Sequence, residues 1–125
     1  MGKFVIRPVA TGYKFDLKAN NGEVVATSEV YNTEAACRKG VLSVFRSAPL
    51  AGIEDQTLSD AKACPNPKFL VYQDRAGAYR FRLCARNGKI IAVSEAYSSK
   101  DGCLGGVESV KNNINSLENQ EIFGI

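Results

Sequence analysis

Apolar and polar residues alternate along Tyr13-Lys14-Phe15-Asp16-Leu17-Lys18-Ala19, and the same alternation returns along Tyr79-Arg80-Phe81-Arg82-Leu83-Cys84-Ala85. A period of two marks a strand with one buried face. Each stretch runs into an Asn-Gly pair, Asn21-Gly22 or Asn87-Gly88. That pair favours a two-residue type I′ turn, in which both residues take positive φ, so a hairpin is predicted. In this register Ala19 faces Val24, Leu17 faces Ala26 and Phe15 faces Ser28. On the other face Lys14 meets Glu29, and Arg80 meets Glu95. Such exposed pairs are worth a few tenths to about 1 kcal/mol and support register more than stability.

The period then changes. Thr33 and Ser99 stand where a hydroxyl caps the first amides of a helix. Behind them Cys37, Val41, Val44 and Phe45 form one apolar stripe, and Cys103, Val107, Val110, Ile114 and Leu117 form the other, at helical spacing. Gly40 and Gly106 interrupt both helices at the same place. Glycine there costs about 1 kcal/mol relative to Ala, so its repetition implies a close approach to the helix backbone. Upstream, Phe4-Val5-Ile6 and Phe69-Leu70-Val71 read as a further strand in each half, with Phe4 and Phe69 buried.

These correspondences are a tandem duplication. An offset of 66 residues aligns the halves from Tyr13 on Tyr79 through Val44 on Val110, and an offset of 65 aligns the first strands. The extra residue falls in Arg75-Ala76-Gly77-Ala78, where a hairpin loop tolerates it. The expected fold is α+β, each repeat a three-stranded antiparallel sheet followed by one helix, packed as one pseudo-twofold unit. The repeats are residues 3–48 and 68–118, with a linker over 49–67 and a tail over 119–125. The linker holds three of the four prolines, with a short strand near Gly52-Ile53-Glu54. A repeat of this size buries too little surface to be stable alone, so the copies should share a core. Whether each first strand pairs within its own copy or crosses over stays open.

The cassette of Tyr-x-Phe-x-Leu-x-Ala, then Asn-Gly-x-x-x-Ala-x-Ser-Glu-x-Tyr, then a helix with Gly-Val-x-Ser-Val resembles the YegP-like family of small bacterial proteins. That family carries tandem copies of a domain of unknown function. The resemblance covers about residues 3–48 and 68–113, with the second copy nearest the pattern. It implies a pseudo-symmetric α+β fold and brings no catalytic residues with it.

Composition narrows the chemistry. The 125 residues include no His and no Trp, which removes histidine acid/base catalysis, Ser-His-Asp and Cys-His machinery and Cys/His zinc sites. The net charge is +3, and the halves divided after residue 62 carry eight and eight basic, seven and six acidic residues, so neither half is a polyanion-binding tail. No apolar run approaches the roughly 20 residues of a membrane helix. Met1 to Ile6 contain no signal-peptide core, and Ile6 stands where a myristoylation motif has Ser or Thr, so a cytoplasmic location is expected. Cys37, Cys64, Cys84 and Cys103 show no C-x-x-C spacing and read as free thiols. Alternation puts Cys84 on the outer face between Arg82 and Arg86, which makes it and Cys64 the expected reactive thiols. Burial keeps Cys37 and Cys103 inert.

Two polar groupings remain. The duplicated Ser-Glu-x-Tyr, at Ser28 to Tyr31 and Ser94 to Tyr97, sends Ser and Glu to opposite faces. It is read as strand end, cross-strand pair and helix anchor, with an enzyme acting on a small polar ligand as the alternative. No phosphate-binding glycine loop is present. The second grouping, Arg80, Arg82, Arg86 and Lys89, is the candidate binding set and suits phosphates. The aromatics Tyr79 and Phe81 face away from it, so the platform that stacks bases is missing from the basic side. A non-catalytic interaction module, meeting a protein partner or a second copy through sheet edges, therefore ranks first. Nucleic-acid binding and enzymatic function rank behind it, with no cofactor or metal expected.

Overall fold

The computed structural model describes residues 2–114; Leu117 and the segment 119–125 lie outside the described residues. Each helix stripe needs a sheet face to bury it, and the strands supply one in a single layer. β1 (Lys3–Val9), β2 (Gly12–Lys18) and β3 (Val24–Thr27) precede α1 (Glu34–Ser47), and β4 (Gly52–Asp55) follows. Then come β5 (Lys68–Gln73), β6 (Tyr79–Cys84), β7 (Ile90–Ser94) and α2 (Lys100–Asn113). The class is α+β. The strands form one mixed sheet in the order β1-β2-β3-β7-β6-β5-β4, with β4 and β5 parallel and the other pairs antiparallel.

Two small sheets were expected; one sheet of seven strands is found. The halves join where β3 pairs with β7, Thr27 opposite Val93 and Ala26 opposite Ser94. Thr27 and Val93 are also counterparts under the 66-residue offset. Pairing there removes two inner edges and leaves β1 and β4 as the outer ones. β1 pairs with β2 and β5 with β6, so each first strand stays beside its own neighbour.

Both helices bury their stripes in one core. Phe4, Phe15 and Leu17 join Phe69, Phe81 and Leu83 beneath Cys37, Val41 and Val44 of α1 and Cys103, Val107 and Val110 of α2, with Ile114 just beyond. Phe4 meets Phe15 edge-on at 5.6 Å, and Phe69 meets Phe81 at 5.7 Å. The halves differ one layer up. Phe45 covers Phe4 at 5.3 Å, whereas its counterpart Lys111 holds its ammonium 5.8 Å from the Phe69 ring and bonds the Ala51 carbonyl at 3.1 Å. Thr33 and Ser99 cap the helices as expected, accepting from the Ala36 and Gly102 amides at 3.0 Å.

The hairpins correct the type I′ expectation. Gly22 (φ 83°) and Gly88 (φ 84°) are left-handed, but no non-glycine residue has positive φ among the described residues, so Asn21 and Asn87 are not. The Asn carboxamides instead accept from the Glu23 and Lys89 amides at 3.0 Å. Gly22 N–H donates to Ala19 O, and Ala19 N–H to Glu23 O, which closes a longer turn with glycine at the bulge. Lys18 therefore faces Val24, and a second irregularity beside Leu17 restores the expected Leu17–Ala26 pair. The second half repeats this with Cys84 opposite Ile90 and Leu83 opposite Ala92. The extra residues, Val25 and Ile91, are buried. The predicted strand near Gly52 is present as β4.

Candidate functional site

The duplicated polar residues are occupied in holding the scaffold. Ser28 Oγ accepts from the Phe15 amide at 2.9 Å and donates to the Glu29 carbonyl at 2.7 Å; Ser94 does the same with Phe81 and Glu95 at 2.9 and 2.8 Å. Both serines are buried. Tyr31 exchanges backbone bonds with Tyr13, and Tyr97 with Tyr79. Their rings then lie against Gly40 and Gly106. A β-carbon at Gly40 would stand 2.6 Å from the Tyr31 ring and 3.1 Å from Phe15, and one at Gly106 would stand 2.8 Å from Tyr97 and 3.0 Å from Phe81. The repeated helix glycine thus makes room for the repeated tyrosine. Burial, with smaller contributions from nearby acidic groups and thiols, raises both tyrosine pKa values, so neither hydroxyl is poised as a base.

The thiols follow the same logic with one correction. Burial raises the pKa of Cys37 and pushes that of Cys103 up to about 11. Cys84 is not the exposed thiol that alternation suggested: it is 4% accessible, and burial raises its pKa against the opposing pull of Lys68 and Arg82. The reason is the linker. Lys68 lies directly across from Cys84 and reaches Glu54 at 2.9 Å, while Glu54 also accepts from the Cys64 amide at 2.8 Å and from Gln56 at 2.8 Å. These bonds draw the segment after β4 over the outer face at Cys84. They also hold the Glu54 carboxyl at a pKa of about 2, through the Cys64 amide first and then Lys68 and Gln56.

The four candidate basic residues separate. Arg80 and Arg82 occupy the outer face of β6, while Arg86 and Lys89 are exposed around the β6–β7 turn. Arg80 does not pair with Glu95; it donates to Asp74 at 2.9 Å, and this bond holds the Asp74 carboxyl below its usual range. The Lys14–Glu29 pair is absent among the described ion pairs as well, because the irregular end of β3 carries Ser28 into the Phe15 backbone. Arg82 lies over the Tyr72 ring, 4.5 Å from its centre. The basic side therefore does have an aromatic residue, supplied by β5. Alternation along β6 alone could not show it; along β5 the outward positions Leu70 and Tyr72, alternating with the buried Phe69 and Val71, carried the signal. Tyr72, Arg75, Arg80 and Arg82 line a shallow depression of about 690 Å³ together with the acidic Glu29 and Asp74.

The first half treats the same place differently. Arg7, Asp16 and Thr27 are the counterparts of Tyr72, Arg82 and Val93. Arg7 binds Asp16 at 2.8 Å, and Thr27 donates to the other Asp16 oxygen at 2.7 Å. That closes the charges on each other. In the second half Arg82 makes no ion pair among the described residues. No group of three or more metal-ligating side chains converges among them, nor is any helix there long and apolar enough to cross a membrane.

The model of a domain of unknown function, DUF1508, matches this chain twice, over residues 9–55 and 74–121. The chain belongs to the DUF1508 family. A UPF0339 protein of Bordetella pertussis is 35% identical over 112 residues, covering 90% of this chain and 87% of its own. A UPF0339 protein of Methanosarcina acetivorans is 63% identical over 46 residues, which is 37% of this chain and 79% of the relative. The solution structure of yegP from E. coli, described as a protein of unknown function, superposes with a TM-score of 0.74 at 28% identity, covering 92% of this chain and 87% of that one. This DUF1508 chain thus shares its fold with a solved protein of unknown function and matches its relatives over most of the chain or over the length of one repeat, and nothing in them indicates a catalytic activity.

Proposed function

We propose that the chain is a non-catalytic binding module, one pseudo-twofold scaffold of two βββα repeats that meets an acidic protein partner on the outer face of its second repeat. The observation that carries this reading is the exchange of the closed Arg7–Asp16–Thr27 cluster for Tyr72, Arg82 and Val93, which leaves a cation with no acidic partner among the described residues, and an aromatic ring beneath it, on one half only. The duplicated Ser, Tyr and helix Gly residues hold the fold; Tyr72 and Arg82 make none of these duplicated contacts. Catalysis lacks a support in the duplicated polar residues, since the Ser28 and Ser94 hydroxyls are committed to backbone bonds and the buried thiols are held protonated. Four free cysteines favour a reducing, cytoplasmic setting. Strand addition at an edge is the weaker route, because Pro8 removes a donor from β1 and the acidic residues of β4 are tied up by Lys68 and Lys100.

A second reading is single-stranded nucleic acid, favoured by the Tyr72 ring beside Arg82. Amide-resolved NMR titration with an oligoglutamate peptide and with an oligouridylate separates the two. The first reading expects shifts at Tyr72, Arg82 and Val93 with the peptide, abolished by Arg82→Glu. Stronger, steeply salt-dependent shifts with the oligouridylate would replace it by the second. Silence of this face with both would remove it as a binding surface.

A further inference from the structure

A second concavity, separate from the outer sheet face, lies between the last turns of α1 and the β6–β7 hairpin. It is about 680 Å³ in volume, within the range of small-molecule sites. Ser43, Arg46 and Ser47 line one wall, Arg86 the opposite one, and Leu50 and Pro67 add apolar surface. No acidic side chain lines it. Neither arginine makes an ion pair among the described residues, and Leu50 keeps 66% of its surface exposed. Two guanidinium groups with neighbouring hydroxyls match one oxyanion, and an apolar wall matches a hydrocarbon or aromatic body attached to it.

The duplication makes the contrast internal. At the corresponding places beside α2, Asn112 and Asn20 replace Arg46 and Arg86, and Gly2 replaces Pro67, its amide bonded to Asn113 at 2.6 Å. The fold therefore does not require arginine at either position. We propose that this groove is a binding site for a small organic anion, a carboxylate or phosphate monoester carrying an apolar body. The proposal does not depend on the reading of the outer sheet face.

Amide-resolved NMR titration of the full chain tests it, with hexanoate and phenyl phosphate as probes and 1-hexanol, benzyl alcohol and inorganic phosphate as controls. The expected result is a saturable shift at Ser47, Leu50, Arg86 and Asn87 with at least one organic anion, tighter than with its neutral counterpart or with inorganic phosphate. The corresponding positions Asn20 and Asn112 should stay silent. Arg46→Gln with Arg86→Gln should weaken binding by roughly tenfold or more, as the loss of a paired charge-assisted contact requires. Both side chains are exposed, so the spectrum reports directly that the variant remains folded. Absence of saturable shifts in the groove, unchanged affinity in the double variant, or equal binding of inorganic phosphate would each overturn the proposal.

Discussion

At the scale of single residues, α2 contains an internal control. Gly105 and Gly106 are neighbours in the same helix, yet a β-carbon at Gly105 would meet nothing within 4 Å while one at Gly106 would press on Tyr97 and Phe81. Gly105→Ala should stabilise by about 0.5–1 kcal/mol through helix propensity. Gly106→Ala should destabilise by about 1–3 kcal/mol, because overpacking outweighs the same gain. Urea titration of both variants checks the sign of each. The thiols give a second prediction. Under mild labelling of the native chain, Cys64, the partly exposed cysteine, should react first, and Cys37, Cys84 and Cys103 should lag behind it. Mass mapping of the labelled peptides would show the order. Glu54 gives a third. Its pKa falls from about 4.5 to about 2 on folding, so its stabilising contribution is complete above the higher value and disappears as pH falls toward the lower one. The urea midpoint should decline across that window, and Glu54→Gln should flatten the decline.

At the scale of elements, the strands, helices and caps were legible because each has a local cause: period two, period 3.6, and a hydroxyl before a helix. The buried positions of Phe4, Phe69 and the described residues of both helix stripes followed from the same periods. What stayed hidden was set by partners distant in sequence. The Asn-Gly pairs suggested a two-residue turn, but the Asn side chains bond backbone amides two residues on, and glycine alone takes the left-handed position. Cys84 looked exposed because alternation cannot see Glu54 drawing the linker across it. Strand pairing between β5 and β6, not the pattern within either strand, brings Tyr72 to Arg82. Ser94 does end its strand, and its hydroxyl satisfies a buried Phe81 amide. Ser94→Ala should cost about 1–3 kcal/mol, the penalty for orphaning that donor, measurable by denaturant titration. Ser94→Thr, which keeps a hydroxyl, should cost less if its methyl group is accommodated.

At the scale of the whole molecule, the duplication was visible from the sequence, but the manner of joining was not. Each repeat alone has too few strands to close its core, and the β3–β7 pairing merges both into one sheet under two helices that share a single hydrophobic cluster. That arrangement frees the positions where the copies differ. Tyr72 and Arg82, and separately Arg46 and Arg86, vary from their counterparts without disturbing any duplicated bond. The central claim is therefore that the two copies form one cooperative unit and not two linked domains. Equilibrium urea unfolding followed residue by residue by NMR, comparing core amides of β2 with those of β6, tests it most directly. The account predicts one transition, with the same midpoint and slope for both sets of amides. Separate midpoints, with one copy still folded after the other has unfolded, would contradict it.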